Sequence, residues 1–177
     1  MSESIETHSN TFFSKESYNE IPTAYRPIIV TDHFSTPSNL GNIIRLAANI
    51  GALKVIALTN QDFRTSKIKK TAGAAHAHIP VEYIETRELS LHVPEDYSLI
   101  ALETCTGSKN LFQHHLPDKM ALVLGNEKYG IHPELLQLCK EAIHIPMCGP
   151  IKSMNVSHAA SVCLFHWYYQ TIGRLEL

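Results

Sequence analysis

The chain has 177 residues, 44% of them hydrophobic and 18% charged, with a formal net charge of −2. That is the length of one domain with a real core and the composition of an ordinary globular protein. It excludes a helical membrane protein, since no stretch approaches roughly 18 apolar residues, and it requires any nucleic-acid footprint to be local.

Residues 1–26 are polar and read as an arm or short helix leading into a domain over residues 27–177. Glu3 and Glu6 and the lack of an apolar run argue against a secretory signal there, so the chain is expected in the cytosol. Residues 27–31 (PIIVT) predict a buried strand. Ser38 and Asn39 can cap a helix whose Ile43, Ala47 and Ile50 recur at helical spacing before Gly51. Further strands are expected over 53–58, 97–102, 121–124 and 142–145. Further helices are expected over 68–75, over 132–139 with Pro133 at the first position, and from 155 to about 173. This alternation implies an α/β fold with a parallel sheet and helices on both faces. Cys105, Cys139, Cys148 and Cys163 have no C-x-x-C spacing and read as free thiols in or near the core. Arg64, Lys67, Lys69 and Lys70, in the stretch from Lys54 to Lys70, make either a local nucleic-acid footprint or a solvated helix face.

In open α/β sheets ligands bind beyond the carboxyl ends of the strands, and three segments fall there. Asn39-Leu40-Gly41-Asn42-Ile43-Ile44-Arg45 opens a helix, with a guanidinium able to reach a phosphate or ribose oxygen, a plain cap with a surface arginine being the other reading of this segment alone. Residues 125–130 (GNEKYG) follow a strand with two glycines, which permit close backbone approach, and place Glu127 at the strand's mouth, a simple loop being the plainer alternative for this segment alone. Residues 145–157 (IPMCGPIKSMNVS) mix apolar Ile145, Met147 and Met154 with Ser153, Asn155 and Ser157, which suits an apolar pocket with few polar groups. Ser153 or Asn155 as an ordinary helix cap is the plainer alternative. The common nucleotide-binding loops G-x-G-x-x-G and G-x-x-x-x-G-K-[ST] are absent, and no histidine group has metal-ligand spacing, so no metal is expected.

Taken in order, these segments resemble the SpoU (TrmH-like) branch of the SPOUT RNA methyltransferases. That family's pattern is N-x-G-x-x-x-R, then a G-x-E-x-x-G-like segment, then I-P-M-x-G-x-x-x-S-[LM]-N-V-S. Here they are NLGNIIR at 39–45, GNEKYG at 125–130 and IPMCGPIKSMNVS at 145–157, within a region running from about Arg26 to the end. The resemblance implies a C-terminal deep trefoil knot, a topology that is otherwise rare. It implies S-adenosylmethionine as cofactor, held largely by backbone groups around Leu102 to Thr104, at Gly125, and at Ile145, Met147, Ser153 and Met154.

The implied reaction is methyl transfer to a ribose 2′-hydroxyl of RNA. Arg45 matches the essential arginine and is assigned to RNA phosphate and the developing alkoxide, because a guanidinium normally stays protonated. Asn39 and Asn155 are assigned to positioning, Glu127 to organising the site, and Ser153 matches a further motif position. A homodimer through the knotted region is implied. Trp167, Tyr168 and Tyr169 of the last helix belong either to that interface or to the core. The short N-terminal arm favours tRNA over rRNA, with the nucleotide unspecified. The alternatives are an RNA-binding protein of this fold without turnover, a SPOUT base methyltransferase, and a generic nucleotide-binding α/β protein, which leaves the ordered triple unexplained.

Overall fold

The structure, a computed structural model, describes residues 21–59 and 65–175 together with Ser9 and Phe13, and side chains as far as Thr171. The expected arm thus lies largely outside the described residues, as does Arg64. Its end docks on the domain: Ile21 is buried, and the Arg26 carbonyl accepts a 2.8 Å hydrogen bond from the Tyr97 hydroxyl.

The described residues form one wholly parallel sheet of seven strands. The strands are β1 (Ile28–Asp32), β2 (Lys54–Leu58), β3 (Val81–Ile84), β4 (Ser98–Leu102), β5 (Lys109–Asn110), β6 (Met120–Leu124) and β7 (Glu141–His144). Their order is β3-β2-β1-β6-β4-β7-β5, so β6 enters between β1 and β4. The connections supply α1 (Pro37–Ile50), α2 (Thr65–Ala72), the single turn α3 (Leu89–His92), α4 (Pro133–Leu138) and the C-terminal α5 (Val156–Leu175). The five expected strands form with ends shifted by a residue or two, and β3 and β5 were not expected.

Strand periodicity divides the core in two. Ile29, Val55, Ile100, Leu122 and Ile143 face α1, α2 and α5, whereas Ile28, Val30, Ile56, Ala101 and Val123 face the side covered by α3 and α4. The helices are therefore on both faces, as the alternation implied. Trp167 of α5 is wholly buried, and its ring N–H donates to the Pro117 carbonyl at 2.9 Å, so this residue belongs to the core. Tyr169, in contrast, is exposed.

Two helix expectations need correction. Pro37 occupies the first position of α1, with Thr36 as N-cap, so Ser38 and Asn39 lie within the first turn instead of capping it. The preset φ and missing N–H of proline favour that start. The helix ends as expected at Gly51, at φ 68°. Residues 68–75 also do not form one helix. The α geometry runs over Thr65–Ala72 and passes into a 3-10 turn at Gly73, whose φ of 60° breaks the ladder.

Lys67, Lys69 and Lys70 are exposed on α2, with Ile68 and Ala72 buried beneath, while Lys54 pairs with Glu82 at 3.0 Å. The four cysteines are free. Cys163 is buried and Cys105 and Cys139 partly so, whereas Cys148 is exposed in the loop after β7, contrary to the expectation of core thiols. Burial pushes the Cys139 thiol up to about 12 and that of Cys163 higher still. No helix among the described residues is long and apolar enough to cross a membrane.

Gly41 lets α2 lie close against α1, since a Cβ there would stand 2.6 Å from Thr71 Cβ and 2.9 Å from the Ile68 carbonyl oxygen. Gly41→Val is expected to destabilise by about 1–3 kcal/mol through overpacking. In urea unfolding the midpoint should fall at constant slope, and an unchanged midpoint would contradict this close approach.

Candidate active site

An open cleft of about 820 Å³ lies beyond the carboxyl ends of the central strands. Parallel pairing makes this inevitable: Thr31 of β1 is in register with Leu124 of β6, which is in register with Leu102 of β4. The segments leaving these strands emerge side by side. The loop after β7 and the start of α5 close the remaining wall.

Glu127 ties these segments together. Its carboxylate accepts from the Ser35 N–H and hydroxyl, both at 2.9 Å, from the Thr36 N–H at 3.1 Å and from the Asn39 amide at 2.8 Å. Burial alone would raise its pKa, but the hydrogen bonds from the Ser35 N–H, Asn39 and the Ser35 hydroxyl prevail and hold it below the usual 4.5. Because Asn39 gives its NH₂ to a carboxylate, its carbonyl oxygen is left to accept, and the Asn155 amide donates to it at 3.2 Å. The Asn155 oxygen then accepts from the Ser157 N–H at 2.9 Å and hydroxyl at 2.7 Å, capping α5. Asn155 is therefore both a helix cap and a member of the cleft.

Glycine is required at Gly125, where a Cβ would meet the Gly130 carbonyl carbon at 2.5 Å and the Ile131 nitrogen at 2.6 Å. The turn between them is pinned by reciprocal 2.9 Å backbone bonds joining Asn126 and Gly130, and by the Asn126 side chain, which accepts from the Lys128 N–H at 2.9 Å. The Asn126 amide also donates to the His33 carbonyl at 2.5 Å, holding that residue at φ 45°. Beneath it, buried Asp32 accepts from the His33 ring at 2.7 Å and from the His132 N–H at 2.6 Å. Glu103, after β4, accepts from the N–H groups of Thr104 at 2.8 Å and Ile131 at 3.0 Å.

Of the expected residues, Asn39, Glu127, Ser153 and Asn155 line the cleft, as do Leu102, Thr104, Gly125, Ile145, Met147 and Met154. Ser153 is exposed. Arg45 is not among the lining residues. It is exposed on α1, nearly two turns beyond Asn39, and forms no ion pair among the described residues. Asp32, Glu103, Asn126 and His144 were not singled out from sequence, although the last three also line the cleft. A charge directly after the apolar run of β4 was a signal for Glu103, and Asn before a Gly-bounded turn was one for Asn126. Among the described residues no group of three or more His, Cys, Asp or Glu could hold a metal.

The SpoU rRNA Methylase family model matches residues 26–165. The chain is 32% identical over 140 residues to the 23S rRNA (guanosine-2'-O-)-methyltransferase RlmB of Yersinia pestis, covering 78% of this chain and 57% of that protein. It thus spans little more than half the length of that relative. Among solved structures, the SpoU methyltransferase AviRb from Streptomyces viridochromogenes in complex with the cofactor AdoMet superposes with a TM-score of 0.75 at 22% identity, covering 86% of this chain and 60% of that one. A protein solved for the 2-OH methylation of C/U34 on tRNA gives 0.76 at 24% identity, covering 85% of this chain and 99% of that one. At these identities the likeness is one of fold.

A carboxylate with a depressed pKa stabilises the folded state above its unfolded value and loses that contribution as pH falls through the folded value. Glu127→Gln is therefore expected to be less stable than the parent near pH 7 (about neutral) and to converge with it below 4.5. Thermal unfolding across that range checks this. A deficit that persists undiminished in acid would show that the Glu127 charge is not what holds the loops.

Proposed function

Because the chain belongs to the SpoU rRNA Methylase family, we propose that it transfers a methyl group from S-adenosylmethionine to a ribose 2′-hydroxyl of RNA. The observation that carries this is the Glu127–Asn39–Asn155 relay, which draws three motif segments to one cleft. The relative named for guanosine 2′-O-methylation and the neighbour in complex with AdoMet support it.

The cleft suits the cofactor. Leu102, Ile145, Met147 and Met154 offer apolar wall for a flat adenosyl group, and Gly125 lies on the cleft lining beside them. When bound, S-adenosylmethionine supplies a methyl already activated on a sulfonium. The chain's residues then have to hold the 2′-oxygen in line with that methyl and stabilise the oxygen as its proton leaves. Asn39 and Asn155, their amide orientations set by Glu127, position the ribose, and exposed Ser153 stands at the rim. Arg45 binds an RNA phosphate and stabilises the developing alkoxide.

The position of Arg45 outside the cleft lining favours a homodimer in which Arg45 of the partner subunit completes the site. The sheet order, with β6 between β1 and β4 and β7 between β4 and β5, suits a C-terminal segment threaded as a trefoil knot at that interface. Residues 27–177 are taken as the catalytic domain. Relatives named for rRNA and for tRNA methylation keep both RNA classes as candidate substrates, and tRNA is taken as the first to test. Free thiols suit a cytosolic enzyme.

Incubation with methyl-labelled S-adenosylmethionine and total RNA from a strain lacking the gene should label a 2′-O-methylated nucleoside in tRNA. Arg45→Ala should lower turnover by roughly 100- to 1,000-fold while leaving cofactor affinity intact. A labelled base would indicate a base methyltransferase. Cofactor binding with no labelled RNA, or an active Arg45→Ala enzyme, would count against the mechanism.

A further inference from the structure

Two carboxylates line the cleft, and their hydrogen bonding differs. An ionised carboxylate offers about four acceptor positions. Glu127 fills them with Ser35 N–H, Ser35 hydroxyl, Thr36 N–H and Asn39. Among the described residues Glu103 accepts two bonds, one on each oxygen, from Thr104 and Ile131. It is half-buried and has no cationic partner among the described residues. The lysines of the cleft are otherwise placed, Lys152 donating to the Met147 carbonyl at 2.8 Å and Lys128 lying exposed on the turn. Glycine at 130 keeps room for this carboxylate, since a Cβ there would stand 2.6 Å from its Oε2. A half-buried charge with spare acceptor capacity and no counterion is matched by a cationic ligand.

We propose that Glu103 binds a cationic group of the methyl donor, its sulfonium or its α-ammonium. The inference rests on the methyl-donor reading above and assigns Glu103 a role in ground-state binding, separate from the handling of the ribose by Asn39 and Arg45. With both oxygens pinned by backbone N–H groups, the carboxylate is oriented before the ligand arrives, which lowers the ordering cost of binding.

Calorimetric titration of the whole chain and of Glu103→Gln with three ligands tests this. S-adenosylmethionine carries both cations, S-adenosylhomocysteine only the ammonium, and 5′-methylthioadenosine neither. The substitution should weaken S-adenosylmethionine roughly 10- to 100-fold and leave 5′-methylthioadenosine unchanged. A parallel loss for S-adenosylhomocysteine assigns the contact to the ammonium, and an unchanged value assigns it to the sulfonium. Equal weakening of all three ligands, or of none, would overturn the proposal while leaving the methyl-donor reading standing. Failure of the parent protein to bind any of them would remove both. Should Glu103→Gln not fold, the parent serves: added salt should weaken S-adenosylmethionine more than 5′-methylthioadenosine, and equal or opposite salt effects would count against Glu103.

Discussion

The structure turns on the need of one half-buried carboxylate for donors. Glu127 finds them 88 to 92 residues away, in the loop after β1 and the first turn of α1. Once the Asn39 NH₂ is committed to it, the direction of every later bond follows. The Asn39 oxygen can only accept, Asn155 must donate to it, and the Asn155 oxygen is then free to cap α5. One charge thereby fixes the amide orientations of two asparagines and the start of a twenty-residue helix. Each polar group in the relay has a partner, which makes such a network rigid rather than costly.

The sheet provides the conditions for that relay. β1 and β6 are neighbours although their facing positions Thr31 and Leu124 lie 93 residues apart in the chain. Their wholly buried residues lock the register, because a one-residue slip would exchange the two apolar faces. The loops after them must then emerge in contact. Gly125 and Asn126 tighten the second loop until it touches the first, with Asp32 and His33 bonded beneath. The polar cleft is the surface where these loops run out of strand.

Sequence patterning made the buried strands legible. β1, β2, β4 and β6 are nearly continuous apolar runs, the mark of strands covered on both faces. β3 is a partly exposed edge and β5 only two polar residues, so neither produced a signal. The start of α1 was misplaced because Ser38 and Asn39 are good caps in isolation, whereas Pro37 prefers the first helical position. That small difference matters, since Asn39 inside the first turn is free to bond Glu127 and Asn155. The motif segments themselves were readable as residue types. Their meeting was not, because it depends on β6 entering between β1 and β4, a strand order that no local pattern encodes. Arg45 illustrates the same limit: its chemistry and a surface position were both legible, and its place outside the cleft lining was not.

The central claim is that Glu127 and Asn155, which do not bond each other, act as one unit through Asn39. A double-mutant cycle of Glu127→Gln and Asn155→Ala, read as S-adenosylmethionine affinity by calorimetry, tests it most directly. The account predicts that the double variant loses less than the sum of the single losses, with a coupling of roughly 0.5–3 kcal/mol. Losses that add within about 0.3–0.5 kcal/mol would mean that the two residues act independently, and would contradict it.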